Sequence, residues 1–285
     1  MKIPDRRIVF AVLAFMMAAC FSFSARAQDE SDADTPPFIP IVEFGAYGSA
    51  FTPSRAALSA DEEKAFHDYV KALPPFPRYL FGGSQDRAHA AYMMMPVSLK
   101  DKVGKIWVVA PSKYSASVKG VIKMSPTVPD SLDVKWGYHV ALVYKNADGL
   151  QVFDPGMGPG KVLLAGDWFA YLKLPPLTFW TMTAARIYMF YPTNAPNSSN
   201  KDIWGGNAYE YTGDPVAQQL IPTALARDAV GEAILKNRKC EILKPEAKDA
   251  DALLEKMRKG SVPEGCEELL ELFKTQKQSW TDKLR

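Results

Sequence analysis

The hydrophobic period of this chain changes twice, and those changes limit its architecture more than any other feature. Ser59 and Glu62 form a capping-box pattern at the head of a helix that runs to about Leu73, where Pro74 and Pro75 stop it. A second helical segment, rich in Ala and Met, runs from Ser84 to about Met95 and ends at Pro96. Beyond it the pattern becomes that of strands. Residues 105–110, 119–123, 138–144, 150–153, 161–164 and 185–191 are enriched in Val, Ile and aromatic side chains. The turn at 146–149 is short enough to join two of them as a hairpin. A short helix is expected at 167–172 with Asp167 as its cap. Residues 192–213 read as a loop rich in Asn, Ser, Gly and Tyr. Helical spacing then returns through Ile221, Leu225, Ala229, Ala233 and Ile234. It continues at 248–259, with Gly260 as C-cap, and at 264–277. Helices, then an antiparallel sheet, then helices again predict an α+β domain with a helical C-terminal appendage.

The N-terminus reads as an address rather than as structure. Lys2, Arg6 and Arg7 precede an apolar run from Ile8 to Phe23, and Ala25-Arg26-Ala27 supplies the small residues of a cleavage site. The run is shorter than the roughly 20 residues that span a bilayer, so no stable membrane span is expected after cleavage. Residues 1–27 are therefore assigned to a signal peptide and 28–40, acidic and proline-containing, to a poorly ordered leader. Export to a periplasmic or extracellular space follows. Met17-Ala18-Ala19-Cys20 also resembles a lipobox, which leaves lipid anchoring through Cys20 as an alternative.

Export changes the charge and the cysteine chemistry. The chain carries a formal +2, and the signal holds four basic residues against one acid, so the mature chain is close to −1. No electrostatic footprint for nucleic acid remains. The mature chain retains only Cys240 and Cys266, and two cysteines in an oxidising compartment invite a disulfide. The alternative is two buried free thiols.

Candidate chemistry is sparse. The three histidines are His67, His89 and His139, and no His/Cys/Asp cluster has metal-ligand spacing, so neither metal nor cofactor is expected. His67 falls beside Phe66 and Tyr69 on the first helix, where a structural or exposed role suffices. The glycine-rich stretch 156–160 follows a strand without opening a helix and reads as a turn rather than a phosphate loop. His139 begins one strand and Asp154 ends the next, so hairpin pairing would bring them together. A carboxylate there can set the imidazole tautomer; a buried histidine bonded to a turn aspartate is the plainer alternative. Ser84 follows Gly82-Gly83 and opens a helix, where free N–H groups and the dipole favour negative charge. Position alone favours reading this serine as an N-cap.

Three separated segments carry a resemblance. Ser84-Gln85-Asp86-Arg87-Ala88-His89 is similar to the Cys-x-x-Arg-Ala-His helix start of protein-glutaminases, Trp136-Gly137-Tyr138-His139-Val140 to their Trp-x-Tyr-His-Val segment, and Val152-Phe153-Asp154-Pro155 to their strand ending in Asp-Pro. The motifs occur in the family's order and cover about residues 75–195. The resemblance implies a papain- or transglutaminase-like fold over 41–212, with 213–285 as an additional helical region. It also implies Ser84, His139 and Asp154 in the places of a Cys/His/Asp triad, and a glutamine-containing protein or peptide as substrate. The departure falls on the nucleophile. A thiolate can be stabilised near neutral pH, whereas a serine hydroxyl requires concerted proton removal by a well-placed base. Two readings stay open: hydrolysis of glutamine side-chain amides by a Ser/His/Asp variant of the triad, and a non-catalytic peptide- or protein-binding envelope protein that retains the fold.

Overall fold

The computed structural model describes residues 57–79, 82–110, 122–124, 136–158, 160–175, 178–189, 209–210, 215–237 and 266–285. The expected signal peptide, leader, Cys20 and Cys240, and the helix expected at 248–259, lie outside them. Helix α1 (Ala60–Ala72) begins on the full capping box: Glu62 N–H donates to Ser59 Oγ, and Ser59 N–H donates to the Glu62 carboxylate at 3.0 Å. Helix α2 spans Ser84–Met93, and a single turn, α3 (Val97–Lys100), follows Pro96. The strands are β1 (Gly104–Val109), β2 (Lys123–Met124), β3 (Tyr138–Asn146), β4 (Gly149–Phe153) and β5 (Val162–Leu164). After them come α4 (Ala165–Tyr171), β6 (Leu172–Lys173), β7 (Phe179–Ala184), β8 (Ile187–Met189), β9 (Tyr209–Glu210), α5 (Pro215–Asn237) and α6 (Glu267–Lys283).

The main sheet has five antiparallel strands in the order β5-β4-β3-β1-β7. Period-two alternation divides it into two faces. Ile106, Val108, Ala141, Val143, Val152 and Met182 pack with Trp168 and Phe169 of α4. On the other face Leu142, Tyr144 and Phe153 join Phe66 and Val70 of α1. Trp107 and Val140 of that face meet Ala88 of α2. Because both faces are covered, β1 is buried along its whole length.

The α+β order with an antiparallel sheet and C-terminal helices is the one the period changes predict. The C-terminal helices complete the α1 side of the core. Ile221 and Leu225 of α5, and Trp280 of α6, belong to the same buried cluster as Phe66 and Leu142. The Trp280 ring stacks on Phe76 at 5.2 Å and 14°.

Local expectations change at α4, at β7, and at β9, whose two residues fall inside the loop expected at 192–213. Asp167 is not the cap of α4, which starts two residues earlier with Leu164 at its N-cap position, so Asp167 lies in the first turn. A carboxylate there still complements the dipole. Strand β7, at one edge of the main sheet, has no counterpart among the expected strands. Its Phe-Trp-Thr-Met-Thr-Ala sequence mixes large and small side chains with no clear alternation, and pairing with β1 decides its state.

Candidate active site

Gly83 starts the site. Its φ of +77° places it in the left-handed region, where it serves as N-cap of α2, and no side chain caps the helix. Ser84 is thus the first helical residue rather than the N-cap that position alone favours. Only glycine takes that left-handed conformation without strain, so the cap falls one residue earlier. The first intrahelical bond runs from Arg87 N–H to Gly83 O at 3.0 Å. The N–H groups of Ser84, Gln85 and Asp86 therefore lack intrahelical acceptors and form the positive end of the helix dipole.

The strand side is set by register. Leu142 pairs with Phe153 across β3 and β4, and the hairpin turn is closed by Asn146 Oδ1, which accepts from Asp148 and Gly149 N–H at 2.9 and 3.1 Å. Continuing both strands past that pair brings His139 and Asp154 together, with His139 Nε2 to Asp154 Oδ2 at 2.6 Å and both residues 2% exposed. Trp168 Nε1 donates to the same oxygen at 3.0 Å, and Gly156 N–H donates to Oδ1 at 2.9 Å. Burial alone would raise the Asp154 carboxyl, but attraction to His139 and these three donors outweigh it and hold the group below its ordinary value. An ionised carboxylate only accepts, so Nε2 carries the proton of the His139–Asp154 bond. In neutral His139 the lone pair then sits on Nδ1. Trp136 stacks on the imidazole at 4.6 Å and 12°, and Trp168 lies beside it at 5.8 Å.

The two sides meet in a cleft of about 230 Å³ lined by Gly82, Gly83, Ser84, Gln85, Trp136, Gly137, Tyr138 and His139, with Arg87 and Arg227 contributing. Ser84 and His139 thus face one space, with Asp154 behind His139. A larger cavity of about 430 Å³, between the proline-rich stretch 73–78 and α5, contains none of the three. Among the described residues no group of His, Cys, Asp and Glu could hold a metal ion.

Buried charge surrounds α2. Arg87 Nη1 pairs with Asp228 Oδ2 of α5 at 2.8 Å, with the side chains 4% and 0% exposed. Asp86 accepts a hydrogen bond from the Tyr188 hydroxyl, and burial raises its carboxyl pKa. Lys105 Nζ lies 2.8 Å from His89 Nδ1 and donates to Ile187 O at 2.6 Å. Burial drives both Lys105 and His89 well below their ordinary values, toward their neutral forms. His67 is peripheral, with Nε2 3.3 Å from the Tyr144 hydroxyl. Of the cysteines, Cys266 is fully buried ahead of α6.

Sequence reasoning missed Trp168, Lys105 and Asp228. Asp228 carried a signal: it is a lone acid between the buried residues Leu225, Ala226 and Val230 of α5. Trp168 and Lys105 carried none, because nothing local marks an indole or an amine that a distant segment will meet.

Comparison with known proteins agrees with the motifs. Residues 64–172 match a family model described as Glutaminase, a stretch that contains all three of the motifs that resemble protein-glutaminases. Among solved structures it is similar to the NMR structure of protein-glutaminase from Chryseobacterium proteolyticum. The identity is 18% and the TM-score 0.32, covering 51% of this chain and 82% of that one. No curated protein matches.

Proposed function

We propose that the protein is an exported protein-glutaminase-like amide hydrolase acting on glutamine side chains of proteins or peptides. The observation that carries this reading is the shared cleft of Ser84 and His139, with Asp154 bonded to His139 Nε2. In the proposed reaction Ser84 Oγ attacks the glutamine Cδ while His139 Nδ1 takes the hydroxyl proton. The oxyanion forms against the N–H groups at the start of α2 that lack intrahelical acceptors. The C–N bond then breaks, and His139 returns the proton to the nitrogen, which leaves as ammonia. Water, deprotonated by His139, hydrolyses the ester to glutamate and restores Ser84. Asp154 keeps the tautomer and orientation throughout.

Serine in place of cysteine favours a second reading. A cleft shaped for sulfur leaves an oxygen short of its target, and a misplacement of about 1 Å costs ~100-fold. In that case the protein binds a glutamine-bearing peptide in the same cleft without turning it over.

Ammonia release from a glutamine-rich protein, by the mature chain and by Ser84→Cys, separates the two. Turnover by wild type that Ser84→Ala abolishes establishes serine as a working nucleophile. Turnover only by Ser84→Cys, lost on adding His139→Ala, places the deficit at the nucleophile. Folded but inert proteins in both cases leave the binding role. The signal-like N-terminus further implies that the mature protein begins at Gln28, which N-terminal sequencing of exported material tests.

A further inference from the structure

The loop that presents Ser84 and the turn that presents Asp154 share one buried guanidinium. Arg87 donates to Asp228 Oδ2 at 2.8 Å and, more weakly, to Tyr79 O at 3.4 Å, in the chain leading to Gly83. On its other side it borders Gly156. A Cβ at position 156 would lie 3.7 Å from Arg87 Nε and Nη2, and 3.1 Å from Asp154 Oδ1. Gly156 N–H is itself a donor to Asp154. Arg87 thus borders both halves of the site, and Asp228, from a helix outside the family match, is its hydrogen-bonded partner.

Asp228 also abuts the backbone immediately before Ser84. A Cβ at Gly83 would fall 1.8 Å from Asp228 Oδ2 and 2.9 Å from Arg87 Nη1, so the carboxylate is seated directly on the helix cap. One turn further along α5, a Cβ at Gly231 would lie 2.4 Å from the Tyr79 ring, so α5 itself lies against the segment that feeds the cap. Such closeness is costly without purpose: Asp228 is fully buried, and burial pushes its carboxyl up to about 7 against the opposing charges of Arg87 and Arg227.

We infer that Asp228 of the C-terminal helix is a positioning residue for the site: with Arg87 it locks the Gly83 cap and the Asp154 turn in register, so that the side chain at position 84 meets His139. The C-terminal helices are then part of the active unit rather than a module beside it. This rests on the proposed pairing of position 84 with His139, but not on turnover of any substrate.

The test uses the full mature chain carrying Ser84→Cys, alkylated with iodoacetamide and read by mass spectrometry at position 84. The measured quantity is the acceleration that His139 confers, the ratio of rates without and with His139→Ala. Adding Asp228→Asn is expected to cut that ratio about tenfold or more, since misplacement of about 1 Å costs ~100-fold between reacting groups. A purely structural role would lower the melting temperature and leave the ratio intact in the folded protein. If Asp228→Asn fails to fold, the double variant Arg87→Met/Asp228→Leu decides, because an apolar pair leaves no unpaired buried charge. A ratio within about twofold of the parent in either folded variant overturns the positioning role, that being the ordinary scatter of independent sites. A thiol at position 84 that His139 does not accelerate in the parent removes the proposed pairing itself, and the positioning role with it.

Discussion

The strand half and the helix half of the site bury their charges in opposite ways. On the strand half every polar atom of Asp154 is met: His139, Trp168 and Gly156 donate to it, and its carboxyl is held below the ordinary value. On the helix half Asp86 and Asp228 are raised by burial, and Lys105 and His89 lowered. Among the described residues Arg87 Nε and His89 Nε2 have no hydrogen-bond partner, and Asp228 Oδ1 has only the Arg227 guanidinium at 3.6 Å. The difference follows from construction. A hairpin brings its two ends together locally, so His139 and Asp154 are paired by register alone. Helix α2 receives its partners from β1, β8 and α5, each packed for reasons of its own, and its charges are compensated only in part. The strand half is prearranged, while the helix half is held by the rest of the protein.

The largest effect should come from breaking the strand half chemically. In whichever of wild type and Ser84→Cys releases ammonia, Asp154→Asn is expected to lower the rate roughly 1,000- to 10,000-fold, because the amide no longer enforces the productive imidazole tautomer. Little change in melting temperature should accompany it. A rate loss under about tenfold would mean that Asp154 only packs against His139.

Breaking the helix half should cost stability instead. Gly83→Ala adds a Cβ at φ +77° and 1.8 Å from Asp228 Oδ2. Strain and overpacking together are expected to cost about 2–5 kcal/mol in urea unfolding. Gly82→Ala, where a Cβ meets nothing within 4 Å, is the control and should stay within about 0.5 kcal/mol. Equal losses at the two positions would show that the Asp228 contact is not tight in solution.

Next in size is a proposed covalent link at the head of α6. Cys240 and Cys266 are proposed to be bonded, on the strength of the proposed export and of their being the two cysteines beyond residue 27. Free-thiol titration of the denatured, unreduced protein should find none, and reduction should lower stability by about 3 kcal/mol for a loop of roughly 25 residues. Two titratable thiols before reduction would refute the bond.

The smallest effect is also the one that most sharpens the contrast. Asp154, lowered in the folded state, contributes stability that is present above the ordinary carboxylate value and is lost as pH falls through its folded value. Asp228, raised to about 7, contributes stability that is present below its ordinary value and is lost as pH rises toward 7. Stability measured from pH 4 to 7 should therefore rise more steeply in Asp228→Asn than in wild type, whereas Asp154→Asn should differ from wild type by losing less stability as pH falls below the ordinary carboxylate value of about 4. Parallel slopes in all three proteins would erase the distinction between the halves.

Local physics made much of this protein legible in its sequence. The capping box at Ser59, the hairpin turn at 146–149, the prolines after α1 and α2, and the strand character of β1, β3 and β4 all depend on neighbours a few residues away. His139 and Asp154 were legible for the same reason: a hairpin converts sequence spacing into spatial contact. The tertiary structure alone decided what depends on distant chain segments. It placed β7 beside β1, Trp168 against Asp154, Lys105 under His89, and Asp228 against Gly83 and Arg87. It also decided the cap of α2, since Ser84 and Gly83 both suit that place until the left-handed turn selects glycine. Backbone preference and period are written residue by residue, whereas the partner of a buried charge is settled only when a separate element packs against it.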